Sequence, residues 1–116
     1  MPDKALQWVG SARREVRAFP RDARRVAGFQ LRRLQQGLHP LDWKPLADVG
    51  PGVREIRIHT ALEHRVLYVA NFAEAVYVLH GFEKRTRKTA QRDLELARER
   101  YRALVAQRRG RALRGG

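Results

Sequence analysis

Residues 53–82 read VREIRIHTALEHRVLYVANFAEAVYVLHGF, and the period of that stretch decides the fold. Over 53–59 apolar and charged residues alternate, so Ile56 and Ile58 share the core side of a pleated strand and Arg57 stands on the other side as a displayed cation. Segments 65–72 and 75–82 are rich in β-branched and aromatic residues, and the short breaks at 60–63 and 73–74 suit hairpins. Three strands in an antiparallel meander follow. The same alternation places His80 on the face of Val76, Val78 and Phe82, either buried or at the core edge.

Upstream, Leu6, Trp8 and Val9 make a short strand, and Ser11 is a plausible N-cap for a helix that Pro20 must end. A second helix is predicted over 21–36, because Ala23, Ala27, Leu31, Leu34 and Leu38 recur at helical spacing and Gly37 reads as its stop. Residues 39–52 contain Pro40, Pro45, Pro51, Gly50 and Gly52, which reads as a long surface connection pinned to the core by Trp43. Downstream, Leu94, Ala97, Tyr101, Leu104 and Val105 mark a helix over 89–107. The basic, glycine-bearing residues 108–116 read as a disordered tail. The expected fold class is α+β, a small antiparallel sheet with two N-terminal helices and one C-terminal helix, formed by a single domain over 1–107.

A length of 116 residues fits one compact domain that buries roughly two thirds of its unfolded surface. With 25 Lys and Arg against 12 Asp and Glu, the net charge is +13, which attracts polyanions, nucleic acid first among them. Twelve of the basic residues and only three acidic ones lie between Lys84 and Gly116, and Lys84-Arg85-Thr86-Arg87-Lys88 concentrates four cations at a strand exit. That end is the expected polyanion footprint; its bland alternative is a solvated charged face. The absence of cysteine excludes disulfides, thiolate metal sites and a cysteine nucleophile. The longest mostly apolar run, 66–82, is interrupted by Asn71 and Glu74, and Met1 to Lys4 lead into no apolar signal segment. A cytoplasmic location with no membrane partner is expected.

Motif searches exclude a His-Glu-x-x-His metal helix, a phosphate-cradling glycine loop and a Gly-x-Ser-x-Gly elbow. His39, His59, His64 and His80 show no shared metal spacing, so each reads first as a structural histidine and no cofactor is expected. What remains is a cluster of cations. Cleavage of RNA by its own 2′-hydroxyl requires a group to accept the 2′ proton, cations to stabilise the phosphorane and a group to protonate the leaving 5′ oxygen. Composition alone leaves a passive nucleic-acid binder equally open.

The motifs Val53-Arg54-Glu55-Ile56-Arg57, His64-Arg65-Val66-Leu67-Tyr68 and Leu79-His80-Gly81-Phe82-Glu83-Lys84-Arg85-Thr86-Arg87-Lys88-Thr89, taken in order, resemble the RelE/HigB-like toxins of bacterial type II toxin–antitoxin modules, specifically their phage-derived branch. Asp42-Trp43-Lys44-Pro45-Leu46 and Val49-Gly50-Pro51-Gly52 resemble the same branch. The resemblance implies a ribosome-dependent, metal-independent mRNA endonuclease. It also implies a cognate antitoxin on a separate chain, of the helix-turn-helix type, and the ribosome and mRNA as further partners. Carried over by residue, Arg65 and Lys84 stabilise the phosphorane, Arg57 positions the phosphate and Lys88 binds the backbone; Arg85, Arg87 and Tyr101 are further candidates for substrate contact. His80 joins the catalytic set, and the general base stays open among Lys84, His80 and Tyr101. The chain departs from its relatives in having Lys84-Arg85 where two lysines often stand, and a guanidinium is a poor proton acceptor. A gyrase-poisoning toxin of the same fold and a non-enzymatic basic nucleic-acid binder are the alternatives.

Overall fold

In the computed structural model, which describes residues 2–115, the chain runs β1 (Ala5–Trp8), α1 (Ala12–Arg17), α2 (Arg21–Gln35), β2 (Trp43–Pro45), β3 (Val53–His59), β4 (Glu63–Val69), β5 (Ala75–Glu83) and α3 (Gln91–Gly115). Met1 and Gly116, at the two ends of the expected domain and tail, lie outside the described residues. The strands form one sheet in the order β1-β5-β4-β3-β2. All neighbours are antiparallel except β1 and β5, so the sheet is mixed where an antiparallel one was expected. A parallel pair needs a long connection between its strands, and everything from α1 to β4 supplies it.

Alternation sorts the apolar residues into two cores. Ile56, Ile58, Val66, Tyr68, Val76 and Val78 pack under α1 and α2, whereas Val53, Leu67, Val69, Ala75, Tyr77 and Leu79 pack under α3. Each fully buried aliphatic side chain contributes about 1.5–3 kcal/mol. Ala23, Ala27, Leu31 and Leu34 form the buried stripe of α2. Leu38, read as part of that stripe, is instead half exposed, because the helix has already ended. Gly37 takes a φ of +81°, the Gly37 N–H donates to the Leu34 carbonyl and the Leu38 N–H to the Arg33 carbonyl, which closes the helix in a Schellman turn and aims Leu38 outward.

Other expectations are corrected by hydrogen bonds made outside the local sequence. Ser11 precedes α1 but its hydroxyl makes no capping bond. Trp43 belongs to an edge strand, not a loop, and is covered by stacking on His39 and by the Arg54 guanidinium 4.4 Å from its ring. The third helix starts at Gln91 and runs to Gly115, through the described part of the stretch read as a disordered tail. Arg108 anchors that stretch, lying 3.7 Å over the Phe72 ring and donating to Glu74 at 2.7 Å.

The pairing of β4 with β5 slips by one residue: Tyr68 opposes Val78, but Leu67 opposes His80, leaving Leu79 as the extra residue of a bulge. His80 and Phe82 therefore do not share a face with Val76 and Val78. Phe82 joins the α3 core and His80 stacks on it, ring centroids 5.0 Å apart, while Gly81 turns toward Val16 and Phe19 of the opposite core. A β-carbon at Gly81 would stand 2.7 Å from Val16 Cγ2. Gly81→Ala is expected to cost about 1–3 kcal/mol by overpacking, read as a lower thermal midpoint; an unchanged midpoint contradicts this account of the bulge.

Candidate active site

Beyond the bulge, charged side chains replace the apolar lining on the α3 side of the sheet. Cross-strand register builds a transverse row in which Arg57 of β3 opposes Arg65 of β4, and Arg65 opposes Phe82 of β5. With strands about 4.8 Å apart, that row spans roughly 10 Å. The next row continues it, since His59 opposes Glu63 and the Lys84 N–H donates to the Glu63 carbonyl at 2.7 Å. On the other side, Lys44 opposes Glu55 and Glu55 opposes Leu67. The structure thus brings Arg57, Arg65 and the root of Lys84 to one side of the sheet.

Neither arginine is bare. Arg57, read as a displayed cation, is half exposed and donates through Nε to Asp42 Oδ1 at 2.8 Å. Arg65 has only 7% of its side chain exposed; its Nη1 donates to Glu63 Oε1 at 3.0 Å and to the His64 carbonyl at 2.9 Å. A phosphate oxygen reaching Arg65 must displace Glu63. Behind both stands Glu55, fully buried, with Lys44 Nζ at 3.4 Å and Arg65 Nε at 3.9 Å and no hydrogen bond to either carboxylate oxygen. A buried carboxylate of this kind is tolerable only beside cations, and it holds Lys44 and Arg65 on this face.

Past β5 the chain opens into a cleft of about 440 Å³ lined by Phe82, Glu83, Lys84, Arg85, Arg92 and Asp93. Arg85 pairs with Glu83 at 2.9 Å, whereas Lys84, Arg87 and Lys88 have no carboxylate partner among the described residues. Arg87 and Lys88 are exposed in the segment leading to α3.

His80 lies behind the cleft wall. Its Nδ1 is 2.8 Å from Glu15 Oε1 and its Nε2 2.7 Å from Asp93 Oδ1, so a doubly protonated ring satisfies both carboxylates and a neutral ring only one. Glu15 also accepts two bonds from the Arg100 guanidinium at 2.8 Å each and one from the Gly81 N–H at 3.2 Å. Strand β1 has ended by that point, and the carboxylate takes its place along the open edge of β5. Burial pushes the Glu15 carboxyl up, but the bonds from Arg100, His80 and Gly81 outweigh it and hold the carboxyl at about 2. The network bolts α1 and α3 to β5. Tyr101 sits elsewhere: its hydroxyl donates to the Pro51 carbonyl at 2.9 Å and its ring packs against Gly50, about 12 Å along α3 from Asp93.

The sequence reading left Asp42, Glu55, Glu63 and Asp93 without roles. The signal for the face was present, since Glu55, Arg57 and His59 alternate with Ile56 and Ile58 and so mark a polar side of β3. Which carboxylate meets which cation was set by cross-strand register. Among the described residues no three His, Cys, Asp or Glu side chains are placed to hold a metal ion, and no helix is long and apolar enough to cross a membrane.

A family model described as Phage derived protein Gp49-like (DUF891) matches residues 14–102, which span α1 to the middle of α3 and include every site element above. No curated protein matches the chain.

The depressed Glu15 carboxyl links stability to acid. Its stabilising contribution is fully present above the unfolded value of 4.5 and is lost as pH falls toward about 2. The shift corresponds to something on the order of 3 kcal/mol. Glu15→Gln is expected to lower the unfolding free energy at neutral pH and to flatten its decline across that acid window in denaturant titrations. An acid limb as steep as that of the unsubstituted chain contradicts the assignment.

Proposed function

This chain belongs to the phage-derived Gp49-like family, a RelE/HigB-like toxin-type family, and from that membership we propose that it is the toxin of a type II toxin–antitoxin module, acting as a ribosome-dependent, metal-independent mRNA endonuclease. A toxin-type family implies an antitoxin partner; we take it to be a separate chain of the helix-turn-helix type. The observation that carries the reading is the transverse row Arg57, Arg65, Phe82 with Lys84 following it on the same side of the sheet.

In this reading the 2′-oxygen attacks phosphorus as its proton passes to water, and the bond to the 5′ oxygen breaks as that oxygen takes a proton from water, leaving a 2′,3′-cyclic phosphate and a 5′-hydroxyl. Negative charge builds on the non-bridging oxygens, and Arg65 and Lys84 stabilise it while Arg57 positions the phosphate. Of the two carboxylates lining the cleft, Asp93 is bonded to His80 and Glu83 to Arg85, so neither serves as the base and solvent carries the protons. Arg85, Arg87 and Lys88 bind the flanking backbone. His80 acts as a positioning residue, holding Phe82 and Asp93 in the cleft wall, and Tyr101, bonded to Pro51, has no part in the reaction. Arg13, Arg14, Arg17, Arg21, Arg24 and Arg25 are exposed on α1 and α2 and give the opposite face its own attraction to RNA phosphates.

Expression of the chain without its partner is expected to arrest growth and to produce cuts within translated mRNA, mapped as new 5′-hydroxyl ends. Lys84→Ala should reduce cutting by roughly 10²–10³-fold, the usual cost of one preorganised donor, with the protein still folded. Intact transcripts during arrest contradict the reading, and trapped double-strand DNA breaks in their place transfer it to gyrase.

A further inference from the structure

Five ionisable side chains close a ring at the Arg57–Arg65 pair. Asp42 accepts from Arg57 Nε through Oδ1 at 2.8 Å, and its Oδ2 stands 2.7 Å from His59 Nε2. On the other side of the imidazole, Nδ1 is 2.7 and 2.8 Å from the two oxygens of Glu63, and Glu63 Oε1 also accepts from Arg65 Nη1 at 3.0 Å. Arg57 and Arg65 face each other directly across β3 and β4. The groups facing His59 are therefore Asp42 from the segment entering β2 and Glu63 from β4, with Arg57 and Arg65 on the far side of those two carboxylates.

The charge balance of this ring depends on the imidazole. Two guanidiniums and two carboxylates cancel, leaving no net charge within the ring to attract a phosphodiester. An imidazolium adds one positive charge and can donate to both carboxylates at once, whereas a neutral ring carries one N–H and can donate to only one. We propose that His59 is a positioning residue that sets the phosphate affinity of the Arg57–Arg65 pair, its imidazolium drawing Asp42 and Glu63 away from the guanidiniums so that an RNA phosphodiester can take their place. This rests on the reading of the row as an RNA-phosphate site, but not on cleavage. Hydrogen bonds that the ring donates to Glu63 and then to Asp42 raise the His59 pKa above its ordinary 6.5, against the opposing effect of burial. The charged form, and with it the stronger binding, is present below that raised value and is lost as pH climbs through it.

The test is binding of a single-stranded 2′-O-methyl RNA oligonucleotide, which cannot be cut, to the full chain by fluorescence anisotropy between about pH 5.5 and 9. Affinity is expected to fall roughly three- to fivefold across the His59 titration, the scale of one exposed charge. His59→Gln should bind more weakly at the acid end and lose the pH step. Asp42→Asn, which removes one competing carboxylate, should bind more tightly at the alkaline end. His39, His64 and His80 remain in both variants, so a step that survives in His59→Gln overturns the proposal. Binding that Arg57→Ala leaves unchanged, or an oligonucleotide that does not bind the unsubstituted chain, overturns it as well. If binding follows the expected pattern while translated mRNA stays intact in cells, the nuclease reading fails and this one stands.

Discussion

One extra residue in β5 determines which groups of this molecule can meet. Had the strand kept strict alternation past Val78, Phe82 would face α1 and α2, and the chain leaving it would carry Lys84 to the side of the sheet away from Arg57 and Arg65. The bulge at Leu79 reverses that parity, so the basic exit segment emerges beside the two arginines. Where β1 ends, the other edge of β5 leaves backbone groups without partners, and Glu15 meets that need by accepting the Gly81 N–H. The same carboxylate holds Arg100 of α3 and faces His80, so the feature that creates the cleft also fixes the helices around it.

The face so formed is not simply positive. Asp42, Glu55 and Glu63 lie within ion-pair distance of Arg57, Lys44 and Arg65, and a polyanion must compete with them. The net charge of +13 and the exit-segment cations, Lys84, Arg87 and Lys88, which have no carboxylate partner among the described residues, supply a long-range attraction for polyanions.

Much of the architecture was legible because local periodicity and tertiary burial agree. Ile56 and Ile58, the stripe Ala23-Ala27-Leu31-Leu34 and the stop at Gly37 all occupy the positions their spacing predicts. The failures share one cause. The parallel pairing of β1 with β5, the strand at Trp43 and the helical continuation past Gln107 depend on partners distant in sequence, respectively Val76, Ile56 and Glu74. The bulge left one clue, a glycine inside a strand of bulky residues, since Gly81 is where a backbone must approach Val16. For the site, the cations were readable from composition and motif order, but their carboxylate partners were not, because cross-strand register selects them.

The proposed phosphate site requires that Arg57, Arg65 and Lys84 address one phosphate on one side of the sheet. Side-chain and backbone NMR shifts of the isotopically labelled chain, followed during titration with a short uncleavable oligonucleotide, test it directly. Signals of Arg57, Arg65, Phe82 and Lys84 are expected to move together along one saturation curve, separate from any weaker response of the α1 and α2 arginines. Movement confined to Arg13, Arg14, Arg17 and their neighbours, or of Lys84 without the two strand arginines, contradicts it.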